Sequence, residues 1–235
     1  SRGLGDVYKR QLINEGVKTI FGLPGIQLDP MFNSLHESSN EIRVINARHE
    51  QGVAYMAFGY AQSTGKPGVY AVVPGPGILN TTAALSTAYA CNSRVLAITG
   101  QIPSSYIGRE LGMLHEIPNQ LSVLEGLTKF AKRINYPSDA PAIVSEAFKN
   151  MRSGRPRPTA IEMPMDIMQH KSEVALRTFT DGYSPPAADP DLIKEAALIL
   201  GAAKNPVIFV GTGAYEAGKE VTILAEMLQA PVISY

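Results

Sequence analysis

Residues 47–80 read ARHEQGVAYMAFGYAQSTGKPGVYAVVPGPGILN, and this run holds a helix, a strand and a turn in that order. Residues 50–64 carry Gly52, Ala54, Ala57, Gly59 and Ala61, small residues that let a helix lie close to a sheet. Residues 69–73, VYAVV, are continuously apolar, the pattern of a strand buried on both faces. Pro74-Gly75-Pro76-Gly77 then makes a rigid turn whose glycines admit close approach to the backbone.

The same alternation extends outward. Strands are predicted at 19–21, 42–46, 69–73, 94–99, 130–134 and 159–162. Helices are predicted at 29–37, 50–64, 79–90 and 141–152. Strand–helix–strand repetition at this spacing predicts an α/β fold with a doubly wound parallel sheet over residues 12–169. Residues 170–190 read as a linker rich in charge, with Ser184, Pro185, Pro186 and Pro190. A second α/β unit comes next over 191–235: helix 191–203, strand 206–210, helix 215–229, strand 231–235. Two strands are too small a sheet to stand alone, so this unit is expected to be truncated. Residues 1–11, SRGLGDVYKRQ, look foreign to the rest of the chain and are expected to be a non-native leader without a role.

Composition narrows the classes. The 235 residues are 45% hydrophobic and 18% charged, which suits a packed core rather than a disordered chain. Lys+Arg and Asp+Glu both number 21, and no basic run occurs, which argues against nucleic acid and membrane partners. No apolar run reaches membrane-spanning length. The single cysteine, Cys91, allows no internal disulfide and suits a reducing, cytoplasmic setting.

In an open parallel sheet, ligands bind beyond the carboxyl ends of the strands. Loops there hold residues 22–25 (GLPG), Arg48-His49-Glu50, residues 74–77 with Asn80, residues 100–103 (GQIP), and Gly211-Thr212-Gly213. By position alone Glu50 is a first-turn helix glutamate, favoured by the helix dipole. No dinucleotide or P-loop fingerprint is present, and Gly211-Thr212-Gly213 with Gly218 has the wrong spacing for one.

Four blocks taken together resemble a family. They are GVKTIFGLPG (16–25), residues 47–80, VLAITGQIP (95–103) and GRPRPTAIEMPMD (154–166). In order and spacing they are similar to the pyrimidine-binding domain of the thiamine-diphosphate enzymes of the acetolactate synthase/2-oxoacid decarboxylase superfamily. NPVIFVGTGAY (205–215) resembles the start of that family's middle domain. The resemblance implies that Glu50, following His49, hydrogen-bonds N1′ of the cofactor's aminopyrimidine and so activates thiazolium C2 toward a 2-oxo acid. It places Pro24 and Gly25 near the substrate. Pro76, Gly77 and Asn80 would line the pyrimidine pocket, with Gln101 close by. Asn80 reads equally as a helix cap, and Gln101 as a loop-closing amide. Arg155 matches an arginine that contacts FAD in acetolactate synthases, which admits FAD as a further cofactor; otherwise it is a solvated loop arginine. Mg²⁺ and its ligands belong to a domain expected beyond residue 235, so no metal ligand is assigned within the chain. The family's active site forms between subunits, which implies a homodimer or homotetramer.

Departures matter too. The family's first loop reads Pro-Gly-Gly-Ala; here Ile26 and Gln27 replace the two small residues and should reshape the substrate pocket. GRELGMLHEIPNQ (108–120) stands where a Phe-Gln-Glu segment is usual, and His115 in it is a candidate acid/base or substrate-orienting group, or else a structural histidine. The expectation is decarboxylation of a 2-oxo acid with carboligation. The alternatives are simple decarboxylation, another thiamine-diphosphate lyase or transferase, and a non-catalytic relative acting in assembly.

Overall fold

The computed structural model describes residues 4–177 and 186–234, which fall in two compact units, one on each side of the gap. The first unit runs α1 (Leu4–Asn14), β1 (Thr19–Gly22), α2 (Asp29–Glu37), β2 (Arg43–Asn46), α3 (Glu50–Thr64), β3 (Gly68–Val72) and α4 (Pro76–Leu79). It continues with α5 (Thr82–Ala90), β4 (Val95–Gln101), α6 (Gln120–Leu127), β5 (Phe130–Arg133), α7 (Ala140–Arg152), β6 (Thr159–Pro164) and α8 (Met165–Gln169). The six strands form one sheet in the order β2-β1-β3-β4-β6-β5, every pair parallel.

The apolar strands are explained by cover on both faces. In β3, Val69 and Ala71 join a core with α1, α2 and α7, while Tyr70 and Val72 join a second core with α3, α5 and α6. β4 divides likewise, Leu96 and Ile98 against Val95 and Ala97. Each fully buried Leu or Ile stabilises this arrangement by about 1.5–3 kcal/mol. The doubly wound parallel sheet expected from the sequence is therefore present. The small-residue helix does lie close: a Cβ on Gly68 would stand 2.0 Å from the Ala57 carbonyl oxygen. Ala54, Ala57 and Ala61 face the sheet, whereas Gly59 is exposed and touches nothing.

Four local expectations are corrected. Residues from Leu4 are not an appendage; α1 buries Tyr8, Gln11 and Leu12 against α2 and α7. The helix expected over 79–90 begins only at Thr82, as α5, and the Pro-Gly turn before it folds as the short helix α4, with a break at Asn80–Thr81. Thr81 marks the break because its hydroxyl donates to the Ile78 carbonyl (2.7 Å) and accepts from the Tyr70 hydroxyl (2.8 Å). β4 runs two residues past its expected end, so Gly100 and Gln101 pair with β6 rather than forming a loop. Helices α6 and α8 were not anticipated. In the linker, Arg177 is held to α1 through Gln11 (3.0 Å) and Asn14 (3.2 Å), while Ser184 and Pro185 lie outside the described residues.

The second unit runs α9 (Pro190–Ala202), β7 (Ile208–Val210), α10 (Gly218–Leu228) and β8 (Val232–Ser234). Asp189 caps α9 by accepting from the Asp191 and Leu192 amides, with Pro190 at the first helical position. β7 and β8 pair in parallel.

Candidate active site

Glu50 begins α3 at the carboxyl pole of the sheet. His49 precedes it in extended conformation and caps the helix, its Nδ1 accepting from the Gln51 amide at 3.2 Å. This cap aims the Glu50 side chain off the first turn, where the helix dipole favours a carboxylate. Oε2 of Glu50 accepts from Nδ2 of Asn80 at 3.0 Å. Oε1 lies 3.7 Å from the point where a Cβ on Gly77 would stand. Glu50 is half-buried, and toward Gly77 this second oxygen faces a residue without a side chain.

The two Pro-Gly turns meet on one residue, Val73. A Cβ on Gly25 would stand 2.4 Å from one Val73 methyl, and a Cβ on Gly77 2.6 Å from the other. Glycine is thus required at both positions for the loops after β1 and β3 to close on each other. The structure therefore brings together Glu50, Gly25, Pro76, Gly77 and Asn80, with Pro24 exposed beside Gly25. Asn80, read as either a cap or a contact, gives its side chain to Glu50 and closes α4 with its backbone amide, which donates to the Pro76 carbonyl at 3.0 Å.

The other candidates stand elsewhere. Ile26 is 60% exposed on the rim, but Gln27 is buried, packed under Gly100 with its Oε1 lacking a partner among the described residues. Gln101 turns inward, accepting from the Ile102 amide (2.8 Å) and approaching Glu162 Oε2 (3.5 Å). That is the loop-closing reading. His115 adopts φ +69°, and its carbonyl oxygen would be 2.4 Å from a Cβ on Gly75. Its Nδ1 is shielded and without a partner among the described residues. Arg155 is exposed in the loop leading into β6, at the amino pole of the sheet and hence at the opposite end from Glu50. There its carbonyl accepts from Lys129 Nζ at 3.1 Å.

Sequence reasoning missed a buried polar group behind the site. Glu162, in the middle of apolar β6, is fully buried and paired with Arg133. Gln120 bonds Glu162 and reaches Gly100 in β4 and Gly75 in the loop after β3. A charged residue inside TAIEMP was the available signal, since a buried charge must be paired. Beside this group, a cavity of about 560 Å³ is lined by Ile107, Glu110, Glu116, Asn119, Gln120 and Arg133, among others. Asp166 ties the loop after β4 to α8, accepting from the Ser104 amide (2.9 Å) and hydroxyl (2.5 Å). Among the described residues no group of three or more His, Cys, Asp or Glu is placed to hold a metal, and no helix is long and apolar enough to cross a membrane.

Comparison with known proteins shows the family. Residues 3–123 match the family described as thiamine pyrophosphate enzyme, N-terminal TPP binding domain. The chain is 35% identical to a probable 2-ketoarginine decarboxylase of Pseudomonas aeruginosa, over 98% of this chain and 41% of that protein. It is 34% identical to the acetolactate synthase isozyme 1 large subunit of Escherichia coli, over 94% of this chain and 39% of that protein. With an acetolactate synthase of Arthrospira platensis the identity is 37%, over 95% of this chain and 40% of that protein. The chain thus spans about 40% of the length of these curated relatives.

Proposed function

The chain belongs to the thiamine pyrophosphate enzymes, through their N-terminal TPP binding domain, and from that premise we propose that Glu50 is the proton-holding carboxyl of a site that decarboxylates a 2-oxo acid. The observation that carries this is the Glu50–Asn80 pair beside Gly77. When bound, thiamine pyrophosphate supplies a carbon nucleophile and an electron sink, which decarboxylation of a 2-oxo acid requires.

The residues fit such a group. One Glu50 oxygen is occupied by Asn80 and the other borders bare glycine backbone, so a flat heteroaromatic ring can present a nitrogen to it. Asn80 can only donate through its amide nitrogen, so it fixes Oε2 as an acceptor and leaves Oε1 to carry and share a proton. Gly25 and Gly77 keep side-chain atoms out of the approach. Val73, buried between the two turns, holds them together through its two methyl groups.

The proposal extends to carboligation after loss of carbon dioxide, in keeping with the acetolactate synthases among the relatives. Simple decarboxylation is the second reading. It is favoured by Ile26, a bulky residue beside Gly25 where the acetolactate synthases carry a small one. The diphosphate and Mg²⁺ are assigned to sequence outside this chain. A homo-oligomer with sites between subunits, and a cytoplasmic setting, complete the reading. FAD, if used, would involve Arg155 away from Glu50.

The test uses full-length protein. Carbon dioxide release is measured over a panel of 2-oxo acids, with product analysis to separate the two readings. Glu50→Gln is expected to slow C2 proton exchange of bound cofactor by about 100-fold or more. Exchange at the wild-type rate in that variant would overturn the assignment.

A further inference from the structure

One amide side chain joins the loop after β3 to strands β4 and β6. Gln120, the first residue of α6, is 1% exposed. Its Oε1 accepts from the Gly75 amide at 2.8 Å. Its Nε2 donates to the Gly100 carbonyl at 3.0 Å and to Glu162 Oε2 at 2.8 Å. Only one orientation of the amide satisfies all three. Reversed, its NH₂ would face the Gly75 N–H and its oxygen would face a carboxylate and a carbonyl. Glu162 is in turn held on Oε1 by Arg133 Nε. A fixed hydrogen-bond polarity therefore runs from β5 and β6, through Gln120, to Gly75.

From Gly75 the effect reaches Glu50 along a short stretch of chain. Gly75 has φ 60° and ψ −121° and is the residue from which α4 springs. Its other side is covered by the His115 carbonyl. α4 has four residues and ends at Asn80, the residue that holds Glu50. A helix this short has no stability of its own. The direction in which the chain leaves Gly75 therefore decides where Asn80 and Gly77 stand against the carboxylate.

We infer that Gln120 is a positioning residue for Glu50: by gripping the Gly75 amide it fixes the turn that presents Gly77 and Asn80 to the carboxyl group. This rests on the proposed role of Glu50.

The test compares full-length wild type with Gln120→Met, Gln120→Glu, the exchanged pair Gln120→Glu/Glu162→Gln, and Glu50→Gln. Two quantities are read: amide hydrogen exchange over residues 74–81 without cofactor, and C2 proton exchange of bound thiamine pyrophosphate. Gln120→Met is expected to speed amide exchange in that segment, and to slow C2 exchange, each by about tenfold. Gln120→Glu sets a carboxylate against Glu162 and does at least as much damage. The exchanged pair restores an acceptor for Gly75 and an amide donor to the other carboxylate oxygen, but leaves the Gly100 carbonyl without its donor. Both quantities should therefore recover only part of the loss seen in Gln120→Glu, as interaction across one network requires. The inference is overturned if Gln120→Met and Gln120→Glu leave both unchanged, or if the exchanged pair folds without recovering either. If Glu50→Gln slows C2 exchange and the Gln120 variants do not, only this inference falls. If Glu50→Gln has no effect, the reading of Glu50 falls and takes the inference with it.

Discussion

The two poles of the first unit's sheet use left-handed backbone for different ends. At the amino pole, Gly16, Gly65, Asn92 and Gly154 follow α1, α3, α5 and α7, and each has positive φ where a helix stops before a strand. Gly65 is typical: φ 68°, its amide bonded to the Ala61 carbonyl, and open space where a Cβ would go. At the carboxyl pole, Gly75, Gly108, Glu110, Gly112, His115 and Asn119 have positive φ in the loops after β3 and β4. No helix needs stopping there. Gly75 is tightly enclosed, with the His115 carbonyl on one side and Gln120 on its amide. Three of these residues are not glycine, and such conformations cost free energy and persist only where the surroundings enforce them. The same dihedral angle is thus a stop signal at Gly65 and a packing device at Gly75, whereas Gly108 and Gly112 have open space where a Cβ would go.

The contrast can be broken most sharply by changing one charged residue at each pole. Glu50→Gln should abolish nearly all acceleration of C2 exchange. Arg155→Ala should leave that exchange within about twofold of wild type, since Arg155 lies at the far end of the sheet. An Arg155→Ala loss approaching that of Glu50→Gln would erase the distinction between the poles.

The matched glycines give a smaller but cleaner comparison. Gly75→Ala must displace either the turn or the His115 loop, so C2 exchange should fall about tenfold or more. Gly65→Ala meets no atom and should only lower stability, by about 1 kcal/mol in denaturant unfolding, with C2 exchange unchanged. Equal effects on exchange from the two substitutions would contradict the account.

The smallest effect concerns Glu15, at the amino pole. Burial raises its pKa above the ordinary carboxyl range, against the lowering effects of Ser145, Arg152 and Gln11. A raised folded-state pKa means that the folded state holds this proton more tightly than the unfolded chain. Its contribution is therefore most favourable below the unfolded value of about 4 and is lost as pH rises through the folded value. Melting temperature followed upward from pH 4 should decline less in Glu15→Gln than in wild type. A steeper decline in the variant would show that the ion pair with Arg152, not burial, governs Glu15.

Much of this was legible in the sequence because the signals are local. VYAVV, VLAIT and TAIEM read as strands since parallel strands covered on both faces have no polar side to show. Glu50, Gly77 and Asn80 were legible together because they sit in one run of 34 residues, 47–80. Local reading failed where tertiary contacts decide. Nothing in residues 4–11 reveals that Tyr8 and Gln11 are buried by α2 and α7. The break at Asn80–Thr81 depends on the Tyr70 hydroxyl, eleven residues away. Gln120 bonds partners 20, 42 and 45 residues distant, and no periodicity encodes such a clasp. Gln101 and Gln27 turn inward for similar reasons, although the resemblance set Gln101 close to the active centre and Gln27 at the substrate pocket.

The central claim is that a carboxyl oxygen of Glu50, opposite the one held by Asn80, meets a pyrimidine nitrogen. It is tested most directly by ¹⁵N spectroscopy of full-length protein loaded with thiamine pyrophosphate labelled at N1′. The account predicts an N1′ resonance shifted from that of free cofactor in wild type and returned toward it in Glu50→Gln. An N1′ resonance that is the same in wild type and in Glu50→Gln would contradict it.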